Sequence, residues 1–205
     1  MINFIDSSKV FLNEKNHATL IFKNNVELPN NLFTNEFTSF KSIEFDKLYS
    51  ASVFEGIKVF LKKISNSNFT FFSIEPSPEK YFFKHFTKYS VAKIPIDSSY
   101  DDYLNFLNED PGNSPADCLI DRSETILIYS DNPIWGIVGS KDWEVGIVGF
   151  KEVEIEKHFL SSFDNLDLFK VIRSRVEEIS TILDLNSYAK EFYSDLEKNY
   201  SSVLR

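Results

Sequence analysis

The chain has 205 residues and a formal net charge of −9, and 42% of its residues are hydrophobic. This length and apolar content predict that residues 1–205 form a single folded domain and exclude a disordered chain. The acidic balance argues against binding nucleic acid through its phosphates, because that requires clustered lysine and arginine. The single cysteine, Cys118, excludes an intramolecular disulfide. With neither a signal-peptide pattern nor an apolar stretch of membrane-spanning length, we expect a cytoplasmic protein without membrane contact.

The first half of the chain gives a few local signals. Residues 18–22 are apolar and β-branched and predict one strand in an otherwise irregular region. Residues 52–64 carry apolar side chains at helical spacing, and a polar turn separates them from a predicted strand at residues 69–74. Ser77 followed by Pro78 has the pattern of a helix N-cap with proline in the first turn.

The middle of the chain alternates short elements with turns. Residues 91–96 predict a brief extended segment at a sheet edge, because Pro95 has no N–H to donate. Ser99 with Asp102 has the pattern of a capping box that opens a helix. Ser114 with Pro115 suggests a further short helix before a strand at residues 125–129.

Two similar apolar runs give the clearest structural signal. Residues 134–139 and 145–150 flank a five-residue polar loop and predict an antiparallel hairpin in a sheet of at least four strands. The runs carry four glycines, but no phosphate-binding glycine motif is present. Glycines three apart point to opposite faces of a strand, so we interpret them as positions of close packing.

The remaining residues have helical periodicity. We expect helices at about residues 154–163 and 167–183 and a last helix capped by Asn186. Ile172, Val176 and Ile179 should face the core. Since strands and helices do not alternate strictly, we predict an α+β fold: a mostly antiparallel sheet with a central hairpin at about residues 134–150, covered by helices that include two C-terminal ones.

No compact catalytic or metal-binding motif is evident in the sequence. Glu154 and His158 lie four residues apart on a predicted helix, but a third metal ligand is not identifiable, so a solvated helix face is favoured. Cys118 is interpreted as an inert, partly buried thiol. We therefore expect a protein that is not an enzyme, and we assign it no catalytic residue, metal ligand or cofactor.

The negative charge is concentrated in one segment. Residues 97–131 contain nine acidic residues and one basic residue, Arg122. This segment is either a solvated face or a functional anionic patch. Trp143, in the predicted hairpin loop, is either an anchor for a partner or a cap on the hairpin core. The candidate partner-binding residues are Asp101, Asp102, Glu109, Asp110, Asp121, Glu124 and Trp143.

Three segments carry a resemblance to a known group of proteins: Phe-Ser-Ile-Glu-Pro-Ser-Pro at residues 72–78, Ser-Pro-Ala-Asp at residues 114–117, and the Trp-Gly strand, polar turn and second apolar strand within residues 129–149. Over about residues 69–150 the chain resembles small bacterial proteins encoded beside polymorphic or contact-dependent toxins. The resemblance implies an immunity protein, which protects its own cell by binding one cognate toxin domain in the cytoplasm.

The charge of the chain fits this implication. Many toxin domains are basic nucleases, and an acidic partner is attracted to them and can cover their phosphate-binding surface. Two alternatives stay open from the sequence. One is a small-molecule enzyme whose site is assembled from distant loops, and the other is an acidic nucleic-acid mimic.

Overall fold

The computed structural model describes residues 2–112, 115–164, 166–182 and 184–201. At its centre is a six-stranded sheet in which all neighbouring strands are antiparallel. The strands are β1 (Ser39–Glu44), β2 (Asn68–Glu75), β3 (Val91–Pro95), β4 (Thr125–Ser130), β5 (Trp135–Ser140) and β6 (Val145–Phe150). Their order in the sheet is β1-β6-β5-β4-β2-β3. The predicted α+β fold and its central hairpin, β5 with β6, are confirmed.

The described residues form eight α-helices. They are α1 (Ser8–Ala18), α2 (Ala51–Lys63), α3 (Lys84–Phe86), α4 (Tyr100–Leu107), α5 (Leu119–Arg122), α6 (Val153–Leu160), α7 (Ile172–Ile182) and α8 (Ser187–Tyr200). A π-helical turn at Pro78–Phe83 precedes α3, and short 3-10 turns lie at Asp46–Tyr49, Pro115–Asp117 and Leu166–Leu168. Within these described ranges, no helix combines the length and the apolar character that crossing a membrane requires.

Helices and loops cover both faces of the sheet. Ile126 and Ile128 of β4 point to a core shared with α2, α4 and α6, and we call this side the α4 face. Leu127 and Tyr129 point to a second core shared with α1, α7, α8 and the loop after α1, and we call this side the α8 face. Because successive side chains of a strand alternate between faces, a strand covered on both sides is buried along its length.

The glycines of the hairpin allow both layers to approach the sheet closely. A Cβ atom at Gly149 would lie 2.6 Å from Cε1 of Phe33, which belongs to the α8 face. A Cβ atom at Gly139 would lie 2.6 Å from Cδ1 of Leu48, which belongs to the α4 face. The structure therefore confirms the interpretation of these glycines as close-packing positions on opposite faces.

Local capping signals are also confirmed. The Ser77 hydroxyl accepts a hydrogen bond from the Lys80 N–H at 3.1 Å. Ser99 and Asp102 form the reciprocal capping box at the start of α4. The Asn186 side chain accepts from the N–H of Ala189 at the start of α8. The predicted edge segment is β3, which lies at one end of the strand order.

The N-terminal third differs from the expectation. Residues 18–22, predicted as a strand, contain the end of α1 and a turn, with a single β-bridge between Phe22 and Phe33. α1 itself was not predicted, because only Phe11, Glu14 and Ala18 of that helix are buried and its apolar stripe is therefore narrow.

The start of α7 is also corrected. α7 begins at Ile172 rather than near Asp167, because the segment before Ile172 pairs with β1 instead of continuing the helix. Lys170 exchanges two backbone hydrogen bonds of 2.7 and 2.8 Å with Ser42 and so covers the edge of β1. Ile172 and Ile179 are buried as expected, and Val176 is partly buried. Two positions of the predictions lie outside the described residues: Ser114, the predicted start of the short helix, and Leu183, the predicted end of this helix.

Candidate functional site

The sheet separates two of the predicted acidic residues, Asp101 and Asp102, from the predicted aromatic anchor, Trp143. Asp101 and Asp102 lie in the first turn of α4, which packs beside α2 on the α4 face. Trp143 packs against α8 on the α8 face. These carboxylates and this indole are therefore placed on opposite sides of the sheet and do not form one continuous surface.

Several of the predicted acidic residues have local structural partners. The Asp102 carboxylate accepts hydrogen bonds from the hydroxyl and the N–H of Ser99, and these bonds lower the pKa of Asp102. Glu109 forms an ion pair of 3.0 Å with Lys88. Asp110 accepts from the N–H of Gly112 at 2.8 Å. Three of the acidic residues therefore have a local structural role: Asp102 caps a helix, Asp110 stabilises a turn, and Glu109 forms a surface ion pair.

Asp121 and Glu124 lie beside the hairpin loop. The Lys141 ammonium donates to the Asp121 carbonyl at 2.7 Å, and the Lys141 N–H donates to the Glu124 carbonyl at 2.8 Å. Lys141 immediately follows β5 and is two residues before Trp143. The fold therefore brings Asp121, Glu124 and the loop that carries Trp143 to the same end of the sheet.

A cleft of about 440 Å³ opens at this end of the sheet on the α8 face, and we call it the hairpin-end cleft. Such a volume is within the range of sites that hold small groups, about 300–1,000 Å³. The residues that line the cleft, all from the described part of the chain, include three acidic ones and no lysine or arginine. The lining residues are Val26, Glu27, Leu28, Leu32, Ile74, Glu75, Ser77, Thr125, Val138, Ser140, Asp142 and Trp143.

Trp143 forms one wall of the cleft and is held in place by α8. Its indole stacks on Phe192 with ring centroids 3.5 Å apart and an interplanar angle of 8°. The Tyr193 hydroxyl donates to the Trp143 carbonyl at 2.9 Å. These contacts show that Trp143 packs against α8. Its side chain is also partly exposed, and a contact with a partner stays a prediction.

The loop at residues 26–32 contributes another part of the lining, and α8 also contacts this loop. The Tyr200 hydroxyl accepts from the Leu32 N–H at 2.9 Å and donates to the Asn30 carbonyl at 2.8 Å. The Asn199 amide donates to the Pro29 carbonyl at 3.0 Å. Burial raises the pKa of Tyr200.

The carboxylates of the cleft come from three separate segments. Glu75 ends β2, and its Oε2 accepts from the Thr125 hydroxyl at 2.9 Å. Glu27 lies in the loop after α1, and Asp142 lies in the hairpin loop. All three of these acidic residues are exposed to solvent. Their negative charge is therefore available to an incoming group.

A buried arginine of α7 contacts the hairpin loop. Arg175 of α7 donates through Nη1 to Glu178 at 3.0 Å and through Nη2 to the Glu144 carbonyl at 3.1 Å. Its Nε finds no acceptor among the described residues. Two smaller clefts flank Arg175, with equal numbers of acidic and basic residues in each lining. Arg175 thus links α7 to the hairpin loop.

The remaining sequence candidates have ordinary surroundings. His158 Nε2 lies 3.6 Å from Glu154 on an exposed face of α6. Within the ranges that the structure describes, no group of three or more His, Cys, Asp or Glu residues could hold a metal ion. Cys118 is buried, its thiol donates to Asp121 at 3.2 Å, and burial raises its pKa.

Comparison with protein-family models, curated proteins and solved structures finds no match to this chain. Its function is therefore inferred from its own residues and geometry. Glu27, Glu75 and Asp142 were not among the residues predicted from the sequence. Glu75 closes a predicted strand, and Asp142 adjoins Trp143, but only the folded chain brings them to one cleft with Glu27.

Proposed function

We propose that this protein is a bacterial immunity protein that binds a cognate toxin domain with a basic surface. The observation that carries the proposal is the hairpin-end cleft, where the exposed acidic residues Glu27, Glu75 and Asp142 line one cavity together with aliphatic side chains and no basic residue. An apolar centre with a polar rim is the usual anatomy of a protein interface. The resemblance of residues 69–150 to proteins encoded beside toxins supplies the biological class.

Inhibition would follow from occupation of the toxin's cationic groups. A nuclease holds the phosphates of its substrate with lysine and arginine, and carboxylates of the immunity protein compete for the same groups. The exposed acidic residues outside the cleft, such as Asp101 and Asp121, mainly accelerate association over long range. Contacts desolvated inside the cleft mainly slow dissociation.

The test uses the protein domain encoded beside this gene. Purified together, the two proteins should form a complex of nanomolar affinity, and co-expression should abolish the toxicity of the domain. Changing Glu75→Gln together with Asp142→Asn should weaken the complex at least tenfold. The matched control, Glu154→Gln with Glu191→Gln, removes the same charge from exposed helix positions and should leave the affinity unchanged within about twofold.

Two outcomes would contradict the proposal. One is the absence of any complex and of protection from the neighbouring domain. The other is turnover of a small molecule that depends on the cleft residues, which would favour the enzyme alternative. Strong binding to several unrelated basic proteins would instead favour a general nucleic-acid mimic.

A further inference from the structure

We infer that the hairpin-end cleft is a socket for an arginine side chain that the partner inserts. This inference rests on the proposed function for the source of the arginine, a basic toxin domain. It goes beyond that function by assigning a position and a side-chain chemistry to the centre of the interface.

The charge of the cleft selects a cation. The carboxylates of Glu27, Glu75 and Asp142 reach the cleft from three different segments, and none of the described lining residues is basic. The nearby Lys141 ammonium already donates to the Asp121 carbonyl at 2.7 Å. A cationic side chain entering the cleft therefore gains charge-assisted hydrogen bonds to carboxylates that no basic lining residue pairs with.

The apolar surface of the cleft selects a long cation with an aliphatic stem. Val26, Leu28, Ile74 and Val138 line the cleft, and all four are aliphatic. Lysine and arginine both bury their methylene groups against such surfaces while their charged ends contact polar atoms. A metal cation or a small ammonium ion would leave these aliphatic side chains without a contact.

The indole of Trp143 favours arginine over lysine. A guanidinium group is planar and weakly hydrated, and it packs on aromatic rings more readily than an ammonium does. It also presents several donors at once, so it can satisfy more than one carboxylate from a single position. Both features suit a cleft with an indole wall and three carboxylates.

The cleft is formed before the partner arrives. Phe192 and Tyr193 of α8 fix Trp143, and Tyr200 of the same helix fixes the loop at residues 26–32. Binding therefore requires little ordering of either wall, which reduces the entropic cost of inserting one side chain.

The direct test uses N-acetyl-arginine amide as the probe and two-dimensional NMR of the free protein. The indole N–H of Trp143 and the backbone amides of Glu27 and Asp142 should shift and saturate at millimolar probe. Trp135 provides an internal control, because it is fully buried and its indole donates to Ser130 at 2.9 Å. N-acetyl-lysine amide should bind at least threefold more weakly, and Glu75→Gln with Asp142→Asn should weaken the arginine probe about tenfold or more.

The outcomes separate this inference from the proposed function. If the arginine probe binds at the cleft but the protein does not bind the neighbouring toxin domain, the arginine-binding role of the cleft is supported and the immunity function is contradicted. Two results together would overturn the assignment of the cleft as an arginine-binding site and keep the immunity function: a nanomolar toxin complex that Glu75→Gln with Asp142→Asn does not weaken, and no shift of Trp143 by the arginine probe. Equal shifts from the arginine and lysine probes would overturn the assignment to arginine. Circular dichroism of the double variant should match that of the wild type, since Glu75 and Asp142 are both exposed.

Discussion

Replacing Gly149 by alanine tests how closely the α8-face layer packs on the hairpin. A Cβ atom there would lie 2.6, 2.7 and 2.9 Å from three atoms of the Phe33 ring. Phe33 is fully buried and in contact with the rings of Phe22, Phe37, Phe40 and Tyr200, so it has little space to move. Alanine would gain about 0.5–1 kcal/mol over glycine in a strand. The overpacking should cost about 1–3 kcal/mol, which leaves a net loss between about 0 and 2.5 kcal/mol.

A double-mutant cycle isolates the responsible contact. Unfolding in urea should be measured for Gly149→Ala, Phe33→Leu and the pair, because leucine removes the ring atoms that a Cβ atom would meet. The double variant should lose less stability than the sum of the single losses, by at least about 0.5 kcal/mol. Gly139→Ala is the matched control, since its nearest neighbour is Leu48 on the other face and its effect should add to that of Phe33→Leu. Strict additivity for Gly149 would refute the packing argument.

Three further predictions concern the supports of the fold. Tyr200→Phe should destabilise the protein by about 1–3 kcal/mol, because the buried Leu32 N–H loses its hydrogen-bond acceptor. Hydrogen exchange at the Leu32 amide should accelerate in this variant, and an unchanged exchange rate would contradict this role of α8. Ile179→Ala should cost about 2–5 kcal/mol in urea unfolding, and a loss below about 0.5 kcal/mol would mean that α7 presents a different side to the core. For Asp131, burial favours the neutral acid, but the 2.8 Å hydrogen bond and the charge of Lys93, together with Asn68 and His17, outweigh burial and leave its pKa below the ordinary value. The stabilisation by this carboxylate is therefore present above the unfolded-state pKa near 3.9 and is lost as the pH falls through the lower folded-state pKa. The difference in urea midpoint between the wild type and Asp131→Asn should consequently narrow below about pH 4. A difference that stays constant from pH 7 to pH 2.5 would be evidence against the Lys93 contact.

The features that the sequence predicted well are those determined by neighbouring residues. The helix starts at Ser77, Ser99 and Asn186 depend on hydrogen bonds that span three residues. The β5–β6 hairpin depends on two apolar runs and one short loop. These interactions are encoded within a few positions of the chain, so the local sequence is enough to predict them.

The cleft could not be predicted in the same way. Its walls depend on contacts such as the one between Leu32 and Tyr200, which are 168 positions apart. The acidic segment at residues 97–131 was an incomplete guide for the same reason. Its charges are close in sequence, but the fold places α4 on one face of the sheet and Trp143 on the other. Proximity along the chain therefore did not give proximity on the surface.

The most direct test of the account is isothermal titration of the protein encoded beside this gene against the wild type and the cleft variant Glu75→Gln with Asp142→Asn. We predict a one-to-one complex of nanomolar affinity with the wild type. The cleft variant should bind at least tenfold more weakly, while the control variant Glu154→Gln with Glu191→Gln should bind as the wild type does. No heat of binding to the neighbouring protein at micromolar concentration, together with no protection of cells that express it, would contradict the account.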